Sequence, residues 1–280
     1  MNGLLIVAQV LLALGYAGLA WMDRSSTANT ANAPNEGVPL AKSRRRWGWV
    51  LVLVTVVHAL VVWRLVVAPQ GINLSFAVSL SLIGLLLAVW LWLSGMLMPV
   101  PGMAARTLPL VAAASVLPVL LPAPHWLPYS TDMVAAAHLV VALLAFALFV
   151  IAAVQAGAML ALQQDLHRGL ATASSRSMPP VLTLERWLFG LIAIGFVLLS
   201  ATLASGIIFS EALFGKPMQF NHKTLFSGLA WLLFGVLLAG RWRWGWRGKQ
   251  ALRWVVIGSV LLLIGYAGSK FVLEVLLGRR

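Results

Sequence analysis

Cysteine is absent from all 280 residues. Disulfides, thiolate metal sites, iron–sulfur clusters and CxxC redox chemistry are therefore excluded for this chain. Charge is scarce as well: 10% of residues are charged, against about 25% in a typical soluble domain. Acids are the rarest charged class, at seven: Asp23, Glu36, Asp132, Asp165, Glu185, Glu211 and Glu274. All fall in connecting segments or near the ends of apolar stretches. No carboxylate relay sits at mid-membrane, which counts against a proton-driven pump. The paired acids of a hydrolase are missing, and nothing resembles a glycine-rich phosphate loop. The chain is not expected to be an enzyme. A basic n-region is also lacking before the first apolar stretch, so no cleavable signal peptide is expected.

What is present in excess is apolar. At 61% hydrophobic, the chain holds about 171 apolar positions, enough for about eight bilayer crossings at roughly 20 residues each. A membrane β-barrel is excluded because its strands alternate and lack long apolar runs. Eight stretches can be read, roughly 3–21, 47–67, 74–97, 103–122, 132–162, 183–212, 222–240 and 251–276. The expected fold is all-α, a polytopic transmembrane helical bundle forming a single transmembrane domain over 1–280. Within it, residues 1–46 form a first span with a flexible cytoplasmic linker, and 47–280 form the core. The linker, Ser25 to Leu40, is rich in Ser, Thr, Asn, Ala and Pro.

The net charge of +13 would suggest a nucleic-acid partner in a soluble protein. Its distribution points elsewhere. Alternate connecting segments hold fourteen basic residues, including Arg44, Arg45 and Arg46 and the run from Arg241 to Arg253. The opposite side holds five: Lys216, Lys223, Lys270, Arg279 and Arg280. The positive-inside rule then places both termini outside the cytoplasm, in a multi-pass protein of the inner membrane. The bilayer is the expected partner and nucleic acid is not. Trp242, Trp244, Trp246 and Trp254 interleave with arginines of that last run and read as an interfacial belt.

Histidines are the candidate chemistry. His58 lies near the middle of the second stretch, and His138 about two turns into the fifth. His222 opens the seventh. Neutral imidazole is a common haem ligand, and an intramembrane histidine is a functional candidate by default. For His58 the alternative, a hydrogen bond to a neighbouring helix, carries equal weight; for His138 function is favoured. His125, His167 and His222 suit wet interfacial positions at least as well as a functional one. Trp126 and Tyr129 suit either a belt or the flank of a flat porphyrin. Gly190, Gly195, Ala201, Ser205 and Gly206 fit close helix packing.

The segment Ser205 to Trp231, SGIIFSEALFGKPMQFNHKTLFSGLAW, resembles the tryptophan-rich haem motif of the cytochrome c assembly (CcsA/CcmC) superfamily, approximately SGAxWAxEAWGxYWxWDPKExWxxxTW. Ser205-Gly206, Glu211-Ala212, Gly215, Lys223 and Trp231 match in order. AAAHLVVALLAFAL around His138, NLSFAVSLSLIGLL, GWRG at 245–248, and Tyr266 with Gly268 also fit. So does MPPVLTLERWLFG, which points to the eight-span YpjD-like or HemX-like subgroup. The motif's tryptophans are largely replaced: Phe209, Phe214, Met218 and Phe220 stand near their positions, and Asn221-His222 replaces Asp-Pro. Two further family histidines align with Ala239 and Leu277.

The resemblance implies a protein of cytochrome c assembly or haem handling. Haem would be held noncovalently near the outer face, with His138 and His222 at one site and His58 at a second. Cytochrome c maturation or haem-pathway proteins would be its partners. The same fold acting without haem, as a regulatory or scaffolding protein, is the alternative; a small-molecule transporter is the third, although no internal repeat is visible.

Overall fold

The computed structural model describes residues 3–32, 40–68, 71–97, 102–122, 126–127, 133–167, 181–208, 222–268 and 271–272. Eight helices follow the apolar stretches: α1 (Gly3–Asn32), α2 (Leu40–Val66), α3 (Phe76–Leu97), α4 (Met103–Leu120), α5 (Met133–His167), α6 (Val181–Ile208), α7 (His222–Trp244) and α8 (Gly248–Leu263). Each is long and apolar enough to cross a bilayer, α8 together with the π-helical turn Ile264–Gly268 that follows it. The fold is an all-α, eight-span bundle, as the apolar arithmetic expects. The remaining regular structure among the described residues is three strands of two or three residues. Of these, Gly71–Asn73 pairs antiparallel with Trp126–Leu127.

Several helices outrun the hydropathy reading, because hydropathy ends a span and not a helix: α2 begins at Leu40, α5 ends at His167 and α7 at Trp244. α1 runs past Trp21 to Asn32, well into the segment read as linker. Along this extension the Ser25 and Ser26 hydroxyls donate to the Met22 carbonyl at 3.0 and 2.9 Å. The eighth stretch, continuous in hydropathy, changes from α to π at Ile264.

The chain forms two compact units. In the first, α1 packs along α4 and against α2. α3 is apolar all round and the most buried span of the eight. It approaches α4 closely at Gly84, where a Cβ would lie 2.9 Å from the Ala114 methyl. Pro109 and Pro118 interrupt the α4 ladder, which membrane helices tolerate. The N-terminus of α4 has no side-chain cap of its own. Instead Asp23 Oδ2, on α1, accepts from the Ala105 N–H at 2.9 Å, a carboxylate at the positive end of a helix dipole.

In the second unit α5, α6, α7 and α8 meet around Phe149. Its ring stacks on Phe234 of α7 at 4.1 Å. It also faces Gly195 of α6, where a Cβ would stand 3.2 Å from the ring. The Phe149 carbonyl accepts from Ser259 of α8 at 2.9 Å. Gly258 is required by the same packing, since a Cβ there would come within 2.8 Å of the Phe234 ring. At one end of this unit Glu185, only 3% exposed, accepts from the Gly248 N–H at 3.0 Å and faces Arg241 Nη1 at 3.7 Å. The guanidinium lies over Phe189 and donates to the Trp246 carbonyl.

Candidate haem-binding histidines

His138 stands one and a half turns into α5, half-buried, facing the last turns of α6. Its Nδ1 lies 2.8 Å from Ser205 Oγ. Ser205 Oγ in turn donates to the Thr202 carbonyl at 3.1 Å. A hydroxyl has one proton. With that proton directed to Thr202, Ser205 accepts from the imidazole Nδ1–H; directed to the ring, it donates to Nδ1 instead. Gly206 lies beside the ring: a Cβ at that position would stand 3.7 Å from His138 Cε1, an ordinary contact that does not itself demand glycine. Both residues that open the family-like segment, Ser205 and Gly206, thus lie against the histidine.

The fit of this donor set to haem iron can be judged from its chemistry. A metal-bound histidine characteristically directs its second ring nitrogen to a hydrogen-bond partner that fixes tautomer and orientation. The His138–Ser205–Thr202 chain does this. Among the described residues no three His, Asp or Glu side chains converge on a point that could hold a bare ion. A group contributing its own equatorial ligands, needing one or two axial ones, suits the histidine better.

His58 has a different environment, in the first unit. It is fully buried. Nδ1 lies 3.2 Å from Tyr16 Oη on α1, and Nε2 lies 3.1 Å from Ser81 Oγ on α3. Both ring nitrogens are satisfied by the protein, which ties three helices together in mid-span. An iron at His58 would have to displace one of these hydroxyls. His222 begins α7, but its side chain lies outside the described residues, as do His125, Tyr129, the Trp126 and His167 side chains and the whole of 209–221. The replaced tryptophan positions and Glu211 fall in that last stretch.

Several polar residues gave no signal in the sequence. Tyr16 and Ser81 are 42 and 23 residues from His58, and no spacing rule joins them. Ser205 was visible, but as a small residue suited to helix packing. Gln9, buried at 1% exposure, has neither amide atom hydrogen-bonded among the described residues. Trp231, the last motif match, donates its indole N–H to Ser200 Oγ at 2.8 Å and stacks on Phe196, tying α7 to α6.

Eight apolar helices and buried interhelical polar bridges define a multi-pass protein of the inner membrane. The chain belongs to the cytochrome c assembly protein family, which it matches over residues 47–277. It is 33% identical to the inner membrane protein YpjD of Escherichia coli over 139 residues, 50% of this chain and 52% of that one. It is 30% identical over 91 residues to the cytochrome c biogenesis protein CcsA of Heterosigma akashiwo, covering 32% of this chain and 28% of that one. CcsA of Marchantia polymorpha is 28% identical over 85 residues, 30% of this chain and 27% of that one. The chain spans about half the length of the YpjD relatives it matches. No solved structure matches it.

Proposed function

We propose that this protein handles haem in cytochrome c assembly, holding it noncovalently through His138, with both chain termini and the His138 end of α5 on the non-cytoplasmic side. The observation that carries the reading is the His138–Ser205–Thr202 chain, which holds the imidazole against α6 through its Nδ1. The family match supports the setting. His222, at the head of α7, is the candidate second ligand. His58 joins only if Tyr16 or Ser81 releases it. When bound, haem would supply a redox-active iron that a neutral imidazole can ligate. The protein's part is to bind and orient it, not to turn over a substrate, while cytochrome c maturation or haem-pathway proteins act on it.

The test is the absorption spectrum of the detergent-purified protein, oxidised and reduced, before and after haemin addition. A Soret band with split visible bands on reduction, lost in His138→Ala, is the expected result. A preparation that stays colourless after haemin addition overturns it. A second reading, a haem-free regulatory or scaffolding protein of the same fold, is favoured by the replacement of the motif tryptophans by Phe209, Phe214, Met218 and Phe220. It is the reading that a colourless preparation would select.

A further inference from the structure

The connection from α7 to α8 carries Arg241, Arg243, Arg247, Lys249 and Arg253 among Trp242, Trp244, Trp246 and Trp254. Its backbone is held in a fixed shape. The Trp246 N–H donates to the Gly240 carbonyl at 3.3 Å, and Gly245 and Gly248 take φ of 66° and 71°. The Trp246 ring closes over Gly240, and Trp244 stacks beside it at 6.0 Å between centroids.

Glu185 is the carboxylate that the described residues bring to this turn, and it is committed to Arg241 and the Gly248 N–H. Arg243, Arg247 and Arg253 are exposed, and with Lys249 they make no ion pair among the described residues. Trp242 is 90% exposed and Trp244 68%.

Large indoles bared to this extent beside unpaired guanidiniums do not suit water. They suit a surface that is apolar on one side and anionic on the other. Because the turn joins two spanning helices, it lies at a membrane surface by continuity. Indole rings settle at headgroup level, and guanidinium pairs with phosphate in a bidentate fork.

We propose that the α7–α8 turn is a docking site for the phosphate headgroup of anionic phospholipid, with Arg243, Arg247 and Arg253 as its ligands and Trp242 and Trp244 as its apolar flank. This is more than a belt, since a belt of tryptophan alone has no preference for lipid charge. The four uncompensated cations confer that preference.

The experiment is native mass spectrometry of the full chain in micelles titrated with phosphatidylglycerol, with phosphatidylcholine as control. Wild type is expected to prefer phosphatidylglycerol, and the preference should fall as salt rises. Each cation near an anionic surface is worth about fivefold in affinity. R243Q/R247Q/R253Q should therefore weaken binding on the order of a hundredfold, with its unfolding temperature in phosphatidylcholine unchanged. Equal phosphatidylglycerol affinity in the folded triple variant overturns the proposal. So does a wild-type preference that salt leaves untouched, a result independent of how the variant folds. Tighter binding of a duplex oligonucleotide than of phosphatidylglycerol also overturns it, in favour of a nucleic-acid surface.

Discussion

Ser205→Ala isolates the step by which α6 prepares His138. The substitution removes one hydrogen bond, 2.8 Å long, between neutral and half-buried groups. Such a bond contributes about 1 kcal/mol, or roughly fivefold in an equilibrium constant. Its loss also frees the imidazole to place its proton on Nε2, closing the ligating nitrogen. Residues that orient a metal-bound histidine typically cost 10–100-fold in metal affinity when removed. The expected loss of haem affinity in Ser205→Ala is therefore about tenfold, read by haemin titration at the Soret band. Ser205→Thr keeps the hydroxyl, and threonine in a helix already favours rotamers that reach the i−3 and i−4 carbonyls. It should stay within about twofold of wild type on that hydrogen-bond reasoning. If Ser205→Ala binds haem as tightly as wild type while His138→Ala does not bind, the tautomer argument is wrong. If alanine and threonine weaken binding equally, the site responds to volume and not to the hydroxyl.

Three further outcomes test other parts of the structure. His58→Leu removes two interhelical hydrogen bonds, each worth about 0.6 kcal/mol in a bilayer, so SDS-driven unfolding should show about 1 kcal/mol of destabilisation with the haem spectrum unchanged; a lost Soret band would instead make His58 a ligand. Glu185→Ala strands the Gly248 N–H and Arg241, and should cost about 2–3 kcal/mol in the same assay. Glu185→Gln keeps an acceptor and should cost about 1 kcal/mol, so equal losses in the two would refute the charge-assisted account. The absence of cysteine makes single-cysteine labelling free of background. Ser130→Cys should react with an impermeant maleimide from outside intact spheroplasts and Ser174→Cys should not, and the reverse pattern would invert the orientation derived from the lysine and arginine count.

Hydropathy found every span because each segment's need to bury or lipidate its apolar side chains is written locally. Partners are not. The histidines were visible as rare polar letters in apolar text, but what separates His58 from His138 is three-dimensional. His58 meets a tyrosine and a serine on two other helices, and its ring is fully engaged. His138 meets Ser205, whose hydroxyl also reaches the Thr202 carbonyl on the same helix. Both serines look alike in sequence, each a small residue in an apolar helix. The π turn at Ile264–Gly268 was equally hidden, since one extra residue in a turn leaves the hydropathy of IGYAG unaltered. Family resemblance went further than periodicity at one place: it marked Ser205-Gly206 as a pair, and those two residues are the ones against His138.

The two acids whose side-chain contacts are described share one role. Asp23 reaches from α1 to the first turn of α4, and Glu185 reaches from α6 to the first residue of α8. Neither receiving helix has a side-chain cap of its own, so a carboxylate 82 or 63 residues away in sequence supplies the acceptor. Each acid thereby ties its own helix to the start of another and meets the positive end of that helix's dipole, which offsets the cost of holding charge near the apolar slab.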